Sequence, residues 1–137
     1  MLEVRTLGGF SLGKNGRPIQ EMGSRKAEAL LVYIAVEAGY HNRNVLASLL
    51  WPESSQAQAA TSLRVALTIL RRHLGDYLDI SRETVRIKPE AQIYFDLADL
   101  QEKLACGQIE QAMKIYHGDF LQGFHLRDAP DFEEWVR

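Results

Sequence analysis

TSLRVALTILRRHLG, residues 61–75, reads as one amphipathic helix. At about 100° per residue, Leu63, Leu67, Leu70 and Leu74 share a narrow arc flanked by Ala59 and Ala66, which predicts a core stripe. The opposite arc holds Gln58, Thr61, Val65, Thr68 and Arg72, with Arg64 and Arg71 along one shoulder. No carboxylate occurs from Ser54 to Gly75. A merely solvated helix face mixes signs, because Glu–Lys pairs four apart stabilise it. An acid-free face suits a polyanion instead: Gln and Thr reach base edges or thymine methyls, and arginines take guanine or phosphate. Ile69, on the other shoulder, fits neither pattern.

The elements on either side complete a recognisable order. Upstream, Ser24 is placed to cap a helix from Arg25 to about Ala38, with Ala27, Leu30, Leu31, Ile34 and Ala38 inward and Gly39 ending it. A short helix capped by Asn42 follows, with Val45, Leu46, Leu49 and Leu50 inward and Trp51-Pro52 ending it. A polar link leads into the third helix, over residues 56–74. Downstream, YLDIS and TVRIK form a hairpin with Leu78, Ile80, Val85 and Ile87 on one face. Three helices and a hairpin in this order make a winged helix-turn-helix.

Cations recur at the exposed ends of these elements. Arg25 and Lys26 occupy a helix first turn, where the dipole disfavours them by ~0.3–1 kcal/mol, and a bound phosphate would offset that cost. Arg43 repeats the arrangement, and the hairpin carries Arg82, Arg86 and Lys88. The expected base contacts are Thr61, Arg64, Val65, Thr68 and Arg72. The expected phosphate contacts are Arg25, Lys26, Arg43, Arg71, Arg82, Arg86 and Lys88.

Before the first helix, LEVRTL alternates as a half-buried strand, and FSLGK, Asn15-Gly16 and RPIQ predict a hairpin with a type I′ turn. The run GGFSLGKN, residues 8–15, nearly matches a phosphate-binding loop. That loop requires a hydroxyl in its last position and a helix directly after it; Asn15 and a second strand stand there instead. The nucleotide-loop reading is rejected.

The net charge of −2 conceals a change of sign. Residues 1–90 hold 12 basic and 9 acidic side chains, whereas residues 91–137 hold 4 and 9. This predicts a boundary: 1–92 as the winged-helix domain, 93–137 as the first helices of a tetratricopeptide-like all-α domain. DLADLQEKLACG reads as a helix capped by Asp96, QIEQAMKIYHG as its partner, and DAPDFEEWVR as a third with Asp128 or Asp131 near its start. Such an array needs neighbours to bury its faces, so the sequence reads as stopping inside this second domain. The fold class expected is α+β.

Other chemistry is poorly represented. His41, His73, His117 and His125 show no ligand spacing, and Cys106 is the single cysteine. No nucleophile, base and orienting group come together in sequence, so neither an enzyme nor a metal or other cofactor is expected. The N-terminus lacks a signal-peptide pattern and the longest apolar run is far shorter than the ~20 residues of a membrane span, which makes a cytoplasmic protein the expectation.

At the level of motifs, GSRKAEALLVYIAVEAG, NRNVLASLLWPES and QAQAATSLRVALTILRRHLG resemble the DNA-binding domain of the Streptomyces antibiotic regulatory protein family, an OmpR-type winged helix. IYHGDFLQGFHLRDAPDFEEW resembles the start of the bacterial transcriptional activation domain that follows it there. The resemblance implies a transcriptional activator that places the third helix in the major groove and the wing toward the backbone or minor groove. Protomers would associate on promoter direct repeats of double-stranded DNA, and the 52–56 loop would face RNA polymerase. By position it puts Arg64, Thr68 and Arg72 on the DNA side. Ile69 departs from the polar or basic residue frequent there.

Two further readings compete. In one, the winged fold docks a protein partner through Val65 and Ile69. In the other, the acidic helices cover the basic face and inhibit it.

Overall fold

A computed structural model describes residues 1–20 and 22–137. In chain order the elements begin with strands β1 (Leu2–Arg5), β2 (Ser11–Lys14) and β3 (Arg17–Ile19), then helix α1 (Arg25–Val36), strand β4 (His41–Asn42) and helices α2 (Arg43–Leu50) and α3 (Gln56–Leu74). A 3-10 turn at Gly75–Tyr77 leads into β5 (Leu78–Ile80), β6 (Thr84–Ile87) and β7 (Ile93–Phe95). Helices α4 (Asp96–Ala105), α5 (Ile109–Ile115) and α6 (Pro130–Val136) close the chain. The fold is α+β.

These elements form two compact units, each built from separated stretches: Met1–Gln20 with Gln92–Phe124, and Glu21–Ala91 with His125–Arg137. The second unit carries the winged helix. In α1 the Ser24 Oγ accepts from the Ala27 N–H at 3.1 Å, and Ala27, Leu30, Leu31 and Ile34 are buried. The helix stops at Val36, two residues short of the expected end, so Ala38 is exposed and Gly39 turns the chain at φ +102° into β4. The expected Asn42 cap of α2 is present, its side chain accepting from the Asn44 N–H at 2.8 Å. Leu46, Ala47 and Leu50 set the inward arc of α2, and Val45, expected inside, lies off that arc and is exposed.

Helix α3 occupies the expected residues. Ser55 and Gln58 cap it reciprocally: Ser55 Oγ accepts from the Gln58 N–H at 3.2 Å, and Gln58 Oε1 accepts from the Ser55 N–H at 3.4 Å. Ala59, Leu63, Ala66, Leu67, Leu70 and Leu74 are buried as the spacing predicts, and truncating one of these leucines to Ala would cost about 2–5 kcal/mol. The hairpin has the expected register, with Leu78 opposite Ile87 and Ile80 opposite Val85, and β4 adds a third strand along the far edge of β6.

The same unit includes α6. Phe132 is fully buried, its ring 5.5 Å from Trp135, which lies 4.8 Å from Tyr33 and donates through Nε1 to Glu37 at 3.0 Å. The acidic first turn of α6 holds Asp131 and Glu133, as its dipole favours. Expected as the third member of a separate helical array, α6 instead packs with α2 and α1 of the winged helix.

In the first unit the sheet order is β3-β2-β1-β7, and β7 runs parallel to β1. The β2–β3 turn has Asn15 at φ +54° and Gly16 at φ +79°, the type I′ geometry that Asn-Gly predicts. Lys14 lies in a strand and Asn15 in this turn, with no helix following, so the Gly8–Asn15 run has no phosphate-loop architecture.

Asp96 is not a side-chain cap. It is the first residue of α4, buried, and its carboxylate accepts from the Thr6 and Leu7 N–H groups at 2.9 Å and from the Thr6 hydroxyl at 3.0 Å. The 116–124 stretch also returns to the N-terminus: Leu121 N–H donates to the Thr6 carbonyl at 2.7 Å and Gly8 N–H to that of Asp119 at 3.0 Å. Gly8 and Gly118 make this approach close, since a Cβ on Gly8 would sit 2.7 Å from the His117 carbonyl oxygen.

The expected division at 92/93 therefore does not follow the compact units, because β7 and α4 complete the N-terminal sheet while α6 completes the winged helix. The charge asymmetry changes with it. The winged-helix unit holds 11 basic and 12 acidic side chains and the other unit 5 and 6, so each carries −1. The basic character of the α3 face comes from where its charges sit within a nearly neutral unit.

Candidate nucleic-acid interface

Three elements bring four arginines to one place. Arg64 and Arg71 lie two turns apart on α3, Arg43 begins α2, and Arg82 sits in the β5–β6 turn. Together with Thr68 and the buried Leu67 they line a concavity of about 400 Å³. The backbone explains the convergence. Arg43 N–H donates to the Glu83 carbonyl at 2.9 Å, which ties the start of α2 to the hairpin turn that presents Arg82.

The electrostatics of this cradle are unfavourable to the isolated fold. Among the described residues no carboxylate pairs with Arg43, Arg64, Arg71 or Arg82; the basic groups in ion pairs are others. The Arg43 Nε is buried and has no hydrogen-bond partner. Burial, and then the neighbouring guanidiniums of Arg71 and Arg64, hold the Arg43 guanidinium below its ordinary value. It stays charged at neutral pH all the same. An orphaned donor and a knot of like charges are both relieved by an anion.

Beside the cradle runs the centre of the α3 face. Thr61, Val65, Thr68 and Arg72 are all exposed, Val65 by 56%. Both threonine hydroxyls are used locally: Thr61 Oγ1 donates to the Ala57 carbonyl at 3.1 Å and Thr68 Oγ1 to that of Arg64 at 2.9 Å. Arg71 and Arg72 fall in the last turn of α3, where the dipole favours cations. Ile69 is half-buried, so it forms no continuous apolar anchor with Val65.

The other expected phosphate contacts are arranged differently. Lys26 donates to the Leu50 carbonyl at the end of α2, pairs with Asp128 at 3.2 Å, and lies 5.2 Å from the Trp51 ring centroid. Its side chain is only 17% exposed. It therefore serves the C-terminus of α2, whose dipole attracts a cation, and this offsets the cost of its own place at the start of α1. Arg25 donates through Nε to the His125 carbonyl at 3.2 Å. The Asp128 and His125 partners come from a segment a hundred residues away, which sequence spacing did not signal. On the wing, Arg86 pairs with Asp79 at 3.1 Å and stacks 4.3 Å from the Tyr40 centroid, and Lys88 is half-buried at the end of β6. Of the seven expected phosphate contacts, Arg43, Arg71 and Arg82 converge on the cradle, and Arg64, expected on a base, joins them.

A solved structure resembles the chain over nearly its whole length. Mycobacterium tuberculosis EmbR, solved in complex with a low-affinity phosphopeptide, superposes with a TM-score of 0.69 at 22% identity, covering 98% of this chain. The likeness shows the fold. The chain spans 40% of the length of that EmbR chain. No protein-family model matches the sequence, and no curated protein does. Among the described residues no three His, Cys, Asp or Glu side chains group to hold a metal, and no helix is long and apolar enough to cross a membrane.

Proposed function

We propose that the chain is a sequence-specific DNA-binding regulator of transcription, with α3 in the major groove and the β5–β6 wing beside the phosphate backbone. The observation that carries this reading is the Arg43–Arg64–Arg71–Arg82 cradle. Four guanidiniums without carboxylate partners among the described residues flank an exposed helix face that holds no acid, and a duplex supplies both phosphates and base edges. In this reading Arg43, Arg64, Arg71 and Arg82 take phosphate, Arg72 takes a base edge, and Lys26 and Arg25 serve the fold. The residue resemblance described above adds that the regulator activates, that protomers associate on direct repeats, and that the Pro52–Gln56 loop faces RNA polymerase.

Selection from a random duplex pool followed by a salt series tests the proposal. Log K is expected to fall linearly with log salt, by about 0.9 for each phosphate neutralised. Enrichment of no sequence, or affinity indifferent to salt, refutes it.

A further inference from the structure

On the proposed reading that α3 enters the major groove, we infer that the Thr61–Val65–Thr68 strip recognises thymine by its C5 methyl groups. The three residues follow one another at spacings of four and three along α3 and share the centre of its exposed face. Val65 offers only methyl groups. Thr61 and Thr68 offer almost the same, because each hydroxyl has a single proton and gives it to the carbonyl four residues earlier. Neither threonine then donates to guanine N7 or O6 or to thymine O4. What remains outward is a methyl group and an oxygen that accepts.

In the major groove thymine alone among the bases carries a methyl, and its adenine partner shows an N6 amino donor beside it. A row of methyls with accepting oxygens matches A·T pairs on both counts. A guanine facing the same row brings two acceptors that find no proton.

The strip also has a length and an end. Thr61 to Thr68 spans seven residues, about 10 Å along the helix axis, or about three base-pair steps. Arg72 continues the same line one turn further, and its guanidinium makes no ion pair among the described residues. The half-site predicted is a run of about three A·T pairs whose thymines face α3, with a guanine at the Arg72 end.

The experiment uses the full chain and the duplex returned by selection from a random pool. Each thymine is replaced in turn by uracil, which removes the C5 methyl and nothing else. About three adjacent positions are expected to lose about fourfold in affinity each, the effect of one buried methyl-sized group. Thr68→Val, which keeps the methyl and loses the accepting oxygen, is expected to retain the roughly fourfold uracil penalty at every one of these positions. Thr68→Ser, which does the reverse, loses about fourfold and becomes indifferent to uracil at one position. Tolerance of uracil throughout a site that is still selected overturns the inference and leaves DNA recognition standing. The same is true if the uracil penalty disappears in Thr68→Val and persists in Thr68→Ser. Failure to select any duplex overturns both.

Discussion

Two clusters of cations in the winged-helix unit look alike in sequence and differ in what surrounds them. At the start of α1, Lys26 has found the α2 carbonyl end, the face of Trp51 and the Asp128 carboxylate. In the cradle, Arg43, Arg64, Arg71 and Arg82 have no carboxylate partner among the described residues. A positive charge on a helix end is therefore not in itself a sign of a phosphate site. The partner that arrives from elsewhere in the chain decides. The first cluster has one and contributes to stability; among the described residues the second has none, and the proposed function gives it a phosphate.

The comparison breaks first at Phe132, which anchors the segment that delivers Asp128. Phe132→Ala is expected to destabilise the winged-helix unit by about 3–5 kcal/mol in urea unfolding, the cost of emptying a fully buried aromatic site. A loss under 1 kcal/mol would mean that α6 does not belong to this core. Next, Arg43→Ala with Arg71→Ala should weaken duplex binding for all sequences alike and reduce the salt slope by about 1.8. An unchanged slope removes both residues from the phosphate set.

Lys26→Met sharpens the contrast from the other side. It should cost about 1–2 kcal/mol of stability, since a charged hydrogen bond at a helix C-terminus is lost, with the exposed Asp128 pair contributing little. Its duplex affinity at a temperature well below unfolding should match that of the parent. A selective loss of affinity would return Lys26 to the interface. The smallest effect expected is Arg71→Gln, which relieves Arg43 of a like charge. Relief of that repulsion opposes the loss of a cation at the α3 C-terminus, so stability should stay within a few tenths of a kcal/mol of the parent while DNA affinity falls.

How much of this was legible beforehand follows the range of the interactions. The α3 stripe, the Asn15-Gly16 turn and the wing register rest on contacts within a few residues, and the periodicity displays them. Asp96 shows the limit. Asp-Leu-Ala-Asp before a helical run is a plausible local cap, yet its carboxylate belongs to Thr6 and Leu7, ninety residues back. Strand β7, only three residues long, has no visible alternation and exists because β1 has a free edge to pair. For the site, the helical wheel puts Arg64 and Arg71 on one shoulder, but nothing local brings Arg43 and Arg82 to them. The hydroxyl bonds of Thr61 and Thr68 are likewise a choice of rotamer, open to any helical threonine.

The interleaving of the two units bears on how the chain is made. On the ribosome the N-terminal hairpin emerges long before β7, so β1 keeps an uncovered edge while some eighty residues are added, and loop closure must precede the pairing that rewards it. The winged-helix unit waits too, for α6. Release of the nascent polypeptide at residue 92 would leave a sheet without its last strand and a helical core without Phe132. Translation pauses inside that window should expose strand edges to neighbouring chains, the setting in which a holdase chaperone matters most.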